Sequence, residues 1–291
     1  MNSVIEITEL AAKVYKYVVE APDIAAKTRA GQFVIIRLSE TGERIPITIA
    51  DWHPHKGTIT LFVQAIGKTT IQMSRLKKGD SILDVVGPLG VPSHIEKVGS
   101  GVAVGGGFGI AAIYPIVGEH RRVGNKTISL LGARTRSLLI LEDEMRQVSS
   151  EIRVVSEDGT FGKKGIATDL LKEIISGQEP IKLVLAVGPL AMMKAVAEVT
   201  RPHKIKTVAS MNPIMIDGTG MCGACRVVVR NEIKFACVDG PEFDAHEVDF
   251  DCLLNRSKMY LPEEKLSLEK YSNELDHDCR LAERLEMKNT L

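Results

Sequence analysis

The sequence predicts a multidomain β plus α/β protein: an antiparallel β-barrel, then a doubly wound parallel sheet, then a small C-terminal cysteine-bearing module. Three observations carry this. Residues 1–96 hold short β-branched segments separated by Gly, Pro or charged turns, the pattern of a small antiparallel barrel. Residues 97–205 alternate strand-like and helix-like segments, as a parallel sheet with crossover helices requires. Residues 206–255 contain three closely spaced cysteines, and residues 256–291 form a charged, helix-favouring tail too short for a core of its own.

Composition narrows the function classes. A chain of 291 residues suits two or three compact units, and 44% apolar residues supply their cores. Zero net charge argues against nucleic acid as the main partner, and a single tryptophan, Trp52, leaves few stacking platforms for single strands. No membrane span is expected: the longest apolar run, Leu183–Val199, is broken by Gly188-Pro189 and Lys194. The N-terminal stretch lacks a basic region followed by an apolar core, and five cysteines, an odd number, suit a reducing cytoplasm.

In the barrel region, strands are expected at Val14–Val19, Phe33–Leu38, Ile45–Ile49, Thr58–Val63 and Ser81–Val86. Pro46, with no N–H to donate, marks a strand edge. The stretch Gln64-Ala65-Ile66-Gly67-Lys68-Thr69-Thr70 reads as a helix N-terminus, which is either a plain cap or an anchor for a pyrophosphate.

In the second region a buried strand, Gly101–Gly105, runs into a glycine turn containing Gly106, Gly107 and Gly109, which permits close approach of a diphosphate. Further strands are expected at Thr127–Leu131, Glu151–Val155 and Lys182–Ala186, with helices at Leu138–Gln147, Ala167–Ile175 and Ala191–Val199. The strand ends near Gly132-Ala133-Arg134, Glu157-Asp158-Gly159 and Gly188-Pro189 then cluster at the carboxyl edge, where such sheets bind ligands. Arg134 and Arg136 favour a phosphorylated ribose, Glu157 and Asp158 a free one, so both dinucleotide types stay open.

The third region reads D-x4-C-x2-C-x11-C, carried by Asp217, Cys222, Cys225 and Cys237. The spacing is that of plant-type [2Fe–2S] ligands with an aspartate in the first position, a harder anionic donor than thiolate. Gly218, Gly220 and Gly223 let the backbone wrap tightly, and a hairpin with its turn at Asn231-Glu232 returns Cys237 to the loop. The alternative is a zinc site adding Cys252. Cys252 and Cys279 otherwise read as bystanders, and His53, His55, His94 and His120 as solvent-facing.

The motifs RIPIT (Arg44–Thr48), GKTT (Gly67–Thr70), GPLG (Gly87–Gly90), GGGFG (Gly105–Gly109), SEDGTFG (Ser156–Gly162), GPLAMMK (Gly188–Lys194) and DGTGMCGACR (Asp217–Arg226) together resemble the ferredoxin–NADP reductase superfamily. Within it the chain is most similar to the branch of dihydroorotate dehydrogenase electron-transfer subunits and, there, to the small subunits of NADH-dependent reduced ferredoxin:NADP oxidoreductases. The resemblance covers the chain from its N-terminus to about Arg256 and implies FAD in the barrel. Pro46, Ile47 and Thr48 would meet the isoalloxazine and ribityl; Arg44, Gln64, Ala65, Gly67, Thr69 and Thr70 would lie along the ribityl and pyrophosphate. The family's R-x-[YF]-[ST] pattern would put its arginine at Ile45 and its aromatic at Ile47, so Arg44 is one residue out of place. NAD(H) would use Gly105, Gly106, Gly107 and Gly109 with Gly132, Arg134, Asp158, Gly188 and Pro189. Asp217, Cys222, Cys225 and Cys237 would hold the [2Fe–2S] cluster, the aspartate favouring the bifurcating branch over the four-cysteine one.

The implied function is an electron-transfer flavoprotein subunit between NAD(H), FAD and the cluster. It would work beside a larger flavin and iron–sulfur subunit, reaching ferredoxin through the complex. Subunits of dihydroorotate dehydrogenase or sulfide dehydrogenase, and a zinc-stabilised redox-sensing subunit, are the alternatives.

Overall fold

The computed structural model describes residues 2–274. The N-terminal unit contains β1 (Asn2–Ala11), β2 (Val14–Glu20), α1 (Pro22–Ala25), β3 (Phe33–Arg37), β4 (Ile45–His53), β5 (Thr58–Gln64), α2 (Lys68–Met73), β6 (Ser81–Ile82) and β7 (Asp84–Leu89). All neighbours are antiparallel, in the order β6-β1-β2-β5-β4-β3-β7. The two edge strands are joined by Leu83 alone, so the sheet must curl until it is nearly closed, and the single strand expected at Ser81–Val86 is split there. Tyr17, Val34, Ile36, Ile49, Ile59, Leu61 and Met73 fill its interior. Fully burying each aliphatic side chain contributes roughly 1.5–3 kcal/mol.

The second unit contains β8 (Ser100–Gly106), α3 (Gly109–Arg122), β9 (Lys126–Ala133), α4 (Glu142–Val148), β10 (Glu151–Ser156), β11 (Lys163–Lys164), α5 (Ala167–Ile175), β12 (Leu183–Val187), α6 (Leu190–Thr200) and β13 (Lys206–Ser210). Its strands are parallel in the order β11-β10-β9-β8-β12-β13. Alternate residues face opposite layers, as the two-residue period of a strand dictates. Val102, Val104 and Val184 pack with α5 and α6, whereas Ala103, Leu131 and Leu185 pack with α3 and α4. The same α3 layer takes in Ala50 and Phe62 of the barrel, so α3 is the wedge between the two units. The helix expected from Leu138 begins only at Glu142, because Leu139, Ile140 and Leu141 are each buried and Leu141 adopts φ 56°.

The parallel sheet continues past residue 205 through β13, and β16 (Glu242–Asp244) adds to its edge antiparallel. Between them lies the cysteine loop with its hairpin, β14 (Arg226–Val229) and β15 (Glu232–Phe235). The hairpin turn sits at Arg230-Asn231, not Asn231-Glu232. Both turn residues have positive φ, 52° and 62°, as a tight hairpin turn matched to strand twist requires. Helix α7 (Phe250–Arg256) follows, then a helix over 261–274. Cys279 and the rest of the expected tail lie outside the described residues.

Of the four histidines expected to face solvent, His53, His55 and His94 do, but His120 is 2% exposed. It lies in the last turn of α3, where the next connection folds back over it and Asn125 meets its ring.

Glu242 is the carboxylate that burial perturbs most clearly. Among the described residues its one hydrogen-bond partner is the Ser93 hydroxyl, which donates to Oε1, and burial pushes its pKa above the ordinary 4.5. A raised native pKa means that the folded state holds the proton more tightly, so stability falls as pH rises from about 4.5 through the native value. Glu242→Gln, which cannot ionise, is expected to flatten that limb of a plot of denaturation midpoint against pH. Parallel curves for the two proteins would contradict this.

Candidate functional site

Strand order reverses direction of travel at β8: the chain moves by α3 to β9 on one side and returns to β12 on the other. At such a switch point no crossover blocks the carboxyl ends, and a crevice opens there. Two glycine turns define it, Gly105–Gly109 after β8 and Gly188-Pro189 after β12. They pack so closely that a Cβ on Gly109 would stand 2.3 Å from the Val187 carbonyl oxygen, and one on Gly106 would meet Met192 Sδ at 2.4 Å. At Gly109, where the clash is with backbone, glycine is a steric requirement; at Gly106 the clash is with the movable end of the Met192 side chain.

Two cavities meet at this crevice. The first, about 510 Å³, lies between barrel and sheet and is lined by Pro46, Ile47, Thr48, Gln64 and Thr70 from the barrel. Gly106, Gly107, Gly109, Gly188 and Pro189 close its other side. The second, about 470 Å³, lies over the ends of β9 and β10 and takes in Gly132, Arg134, Glu157 and Thr168. Gln64, Gly106, Gly107, Phe108 and Pro189 line both. Both volumes lie in the range of ordinary cofactor pockets.

Six of the sequence-expected residues reach neither cavity. Arg44 is exposed in the turn before β4, and Ala65 is buried with its N–H on the Lys13 carbonyl. Thr69 is buried with its hydroxyl donating to Glu43, and Gly67 caps α2 with its N–H on Thr70 Oγ1, 2.9 Å away. Gly105 lies beneath α3, where a Cβ would meet Ile110 at 3.0 Å. Asp158 turns back on its own loop, accepting from the Thr160 N–H and hydroxyl at 3.0 and 2.7 Å, which holds its carboxyl below the usual range. Its neighbour Glu157 lines the cavity instead. Arg136 is committed elsewhere, stacked 4.0 Å over Phe161 and paired with Glu142 at 2.8 Å.

Three aromatic residues that the sequence reading does not single out, Phe33, Phe62 and Phe108, line the first cavity. Phe33 and Phe62 sit in β-branched runs and read as core. Phe108, an aromatic residue flanked by glycines in a strand-to-helix turn, is the recognisable signal. Among the described residues, the lining of the first cavity carries no ionisable side chain, and that of the second carries Arg134 and Glu157.

The cysteine loop borders the first cavity. Met211, Asn212 and Met215 before it and Pro241 after it form part of the cavity wall. A Cβ on Gly218 would collide with Leu89 and Ile35 of the barrel at 2.6 and 2.8 Å, so the loop is pressed against that unit. Asp217 accepts from Thr219 N–H (2.8 Å) and Cys222 N–H (2.7 Å), bonds that hold its carboxyl ionised below the usual range. The hairpin brings Cys225 and Cys237, both buried, to an Sγ–Sγ distance of 3.2 Å, while Cys222 is exposed. Burial, with Cys225 alongside, pushes the Cys237 thiol up to about 12. Two thiolates on one tetrahedral metal at ~2.3 Å stand ~3.8 Å apart, so ligation requires the pair to open by roughly half an ångström. Among the described residues no three His, Cys, Asp or Glu side chains converge on one point, neither the four expected cluster ligands nor the four cysteines of the zinc alternative. Soft buried sulfur donors, an ionised carboxylate and three glycines of positive φ (Gly218, Gly220 and Gly223) fit the donor set of an iron–sulfur loop.

Comparison with known proteins follows the same lines. Residues 212–249 match the model of the iron–sulfur cluster binding domain of dihydroorotate dehydrogenase B. The chain is 46% identical over 271 residues to a dihydroorotate dehydrogenase B (NAD(+)) electron transfer subunit homolog of Thermotoga maritima, covering 93% of this chain and 95% of that one. It is 30% identical to the electron transfer subunit of that enzyme from Desulforamulus reducens, covering 84% and 96%. Among solved structures it is similar to a chain of an NADH-dependent reduced ferredoxin-NADP oxidoreductase, studied for flavin-based electron bifurcation. That match has a TM-score of 0.87 at 45% identity, over 93% of this chain and 98% of that chain. Phthalate dioxygenase reductase shares the fold at 14% identity, with a TM-score of 0.60 over 79% and 86%.

Gly109→Ala forces the first turn of α3 away from β12, which is expected to cost about 1–3 kcal/mol of stability and to weaken binding of a nicotinamide dinucleotide. Equilibrium binding and a denaturation midpoint check both. Wild-type values for the two would show that the approach is not a constraint.

Proposed function

The chain belongs to the dihydroorotate dehydrogenase B electron-transfer subunit family, and we propose that it passes electrons between NAD(H), FAD and a [2Fe–2S] cluster as one subunit of a flavin-based electron-bifurcating complex. The observation that carries this is the shared wall. One cavity between barrel and sheet is bounded by the nucleotide crevice on one side and by both flanks of the cysteine loop on the other. A ligand in that cavity touches both neighbours.

The bound cofactors supply hydride acceptance and single-electron exchange, chemistry that no side chain has to perform. The protein's part is binding, orientation and exclusion of water. Phe108 and Pro189, common to both cavities, are the surfaces against which two flat ring systems are positioned. Pro46, Ile47 and Thr48 hold the strand edge at the flavin, and Gln64 and Thr70 supply polar contacts. Gly132 and Arg134 receive the dinucleotide at the strand ends. Asp217, Cys222, Cys225 and Cys237 hold the cluster. The mainly uncharged linings fit a site without general acid–base catalysis.

We further propose that the subunit works in the cytoplasm beside a larger flavin and iron–sulfur subunit, through which it exchanges electrons with ferredoxin and NADPH. The free cysteines suit a reducing compartment, and no helix among the described residues is long and apolar enough to cross a membrane.

Protein purified without oxygen is expected to contain about two irons and two acid-labile sulfides per chain, together with one flavin. A folded, colourless preparation containing zinc would end this reading. Asp217→Cys is expected to retain the cluster and to move its reduction potential by on the order of tens of millivolts. An unchanged potential and EPR signal would make Asp217 solely a cap for the Thr219 and Cys222 N–H groups.

A further inference from the structure

Arginines and carboxylates compete at the ends of β9 and β10, and only some of them reach the second cavity. Among the described residues, Arg134 and Glu157 are the ionisable side chains in its lining. They stand on adjacent strand ends, where the Glu157 N–H donates to the Ala133 carbonyl at 3.2 Å and the Asp158 N–H to the Arg134 carbonyl at 3.3 Å. The corner beside them is acidic: a Cβ on Gly165, which lines the cavity, would meet Asp169 Oδ2 at 3.3 Å. Lys163 is paired with Glu173, and Lys164 lays its stem over Gly159, 3.1 Å from where a Cβ would stand. Neither lysine lines the cavity.

Arg136 is the cation that would tip this balance, and it is held away. Arg134 and Leu138, two residues to either side of it, both line the cavity, so its backbone stands at the rim while its side chain is absent from the lining. Burial of Leu139, Ile140 and Leu141, with Leu141 at φ 56°, starts α4 at Glu142. The Glu142 side chain is 14% exposed and accepts from Arg136 Nη1 at 2.8 Å through one oxygen and from Arg146 Nη2 at 2.5 Å through the other. The ring of Phe161 meets the face of the Arg136 guanidinium at 4.0 Å, and the Arg136 N–H donates to Thr160 Oγ1 at 3.2 Å. A pair of fully exposed ions holds an arginine weakly. A carboxylate largely withdrawn from water, with an aromatic face behind the guanidinium, holds it better.

An adenosine ribose at the end of β10 presents one of two groups on its 2′ carbon. A free hydroxyl donates to a carboxylate such as that of Glu157. A phosphate monoester carries about −1.5 to −2 charges near neutral pH and draws its strong partners from guanidinium groups. Arg134, with Glu157 beside it, leaves such a group short of one cation.

We propose that Glu142 is a positioning residue that sets dinucleotide selectivity: by holding Arg136 on Phe161 it denies the second cavity that cation, so the cavity takes a ribose with a free 2′-hydroxyl and rejects the 2′-phosphorylated one. This rests on the dinucleotide reading of the second cavity and names a selectivity device outside its lining.

Calorimetric titration of the full-length, cofactor-loaded protein with ADP-ribose and with 2′-phospho-ADP-ribose tests this, because the probes differ only at the 2′ position. The wild type is expected to favour ADP-ribose by about tenfold or more. Glu142→Ala is expected to tighten 2′-phospho-ADP-ribose by about tenfold and to leave ADP-ribose within about twofold, whereas a merely structural defect would weaken both. Glu142→Gln, which keeps the shape and loses the charge, is expected to move the ratio in the same direction, and it decides if Glu142→Ala does not fold. Adding Arg136→Ala to either variant is expected to abolish the gain. An unchanged ratio in the Glu142 variants, or a gain that survives the loss of Arg136, would overturn the proposal and leave the dinucleotide reading standing. Failure of the wild type to bind ADP-ribose would overturn both.

Discussion

The approach of α3 to the end of β12 is the contact on which the rest of the arrangement depends. Backbone meets backbone there with no room for a Cβ at Gly109, while Gly106 faces the Met192 side chain and Pro189. Because α3 also packs on Ala50 and Phe62, that contact fixes where the barrel stands relative to the sheet. The two large cavities share Gly106, Gly107, Phe108 and Pro189 for the same reason.

The cysteine loop is attached to this frame rather than suspended from it. β16 adds to β13, Gly218 presses on Leu89 and Ile35, and the buried Cys225–Cys237 pair belongs to the hydrophobic core of the sheet unit. Burial raises the thiol pKa and so disfavours bare thiolates. If an iron centre binds there as proposed, its charge would stabilise the thiolates and couple metal loading to deprotonation of the loop. Asp217 differs: backbone N–H groups on both of its oxygens already hold its carboxyl below the usual carboxylate range.

What the sequence made legible follows from the range of the forces involved. Strand–helix alternation and the D-x4-C-x2-C-x11-C spacing are local patterns, and both the parallel sheet and the hairpin carrying Cys237 appear where those patterns lie. β1 is harder to read, because two bulges break its alternation and Glu6, Thr8 and Glu9 interrupt its apolar residues. The three-residue β16 has no signal of its own and becomes a strand only because β13 offers an open edge. His120 looks solvent-facing at a helix end until the Asn125 turn closes over it. At the candidate site, the glycines and the RIPIT and GKTT motifs announce their regions. Which member of a neighbouring pair faces the cavity, Glu157 rather than Asp158 or Thr70 rather than Thr69, is set by hydrogen bonds to Thr160 and Glu43 that spacing does not encode.

If one wall serves two ligands, a nicotinamide in the second cavity lies against a flavin in the first. Rapid anaerobic mixing of the isolated, cofactor-loaded chain with NADH tests it most directly. Flavin absorbance is expected to bleach without any partner subunit, followed by loss of the visible absorbance of the cluster. NADH binding with the flavin left oxidised would contradict it.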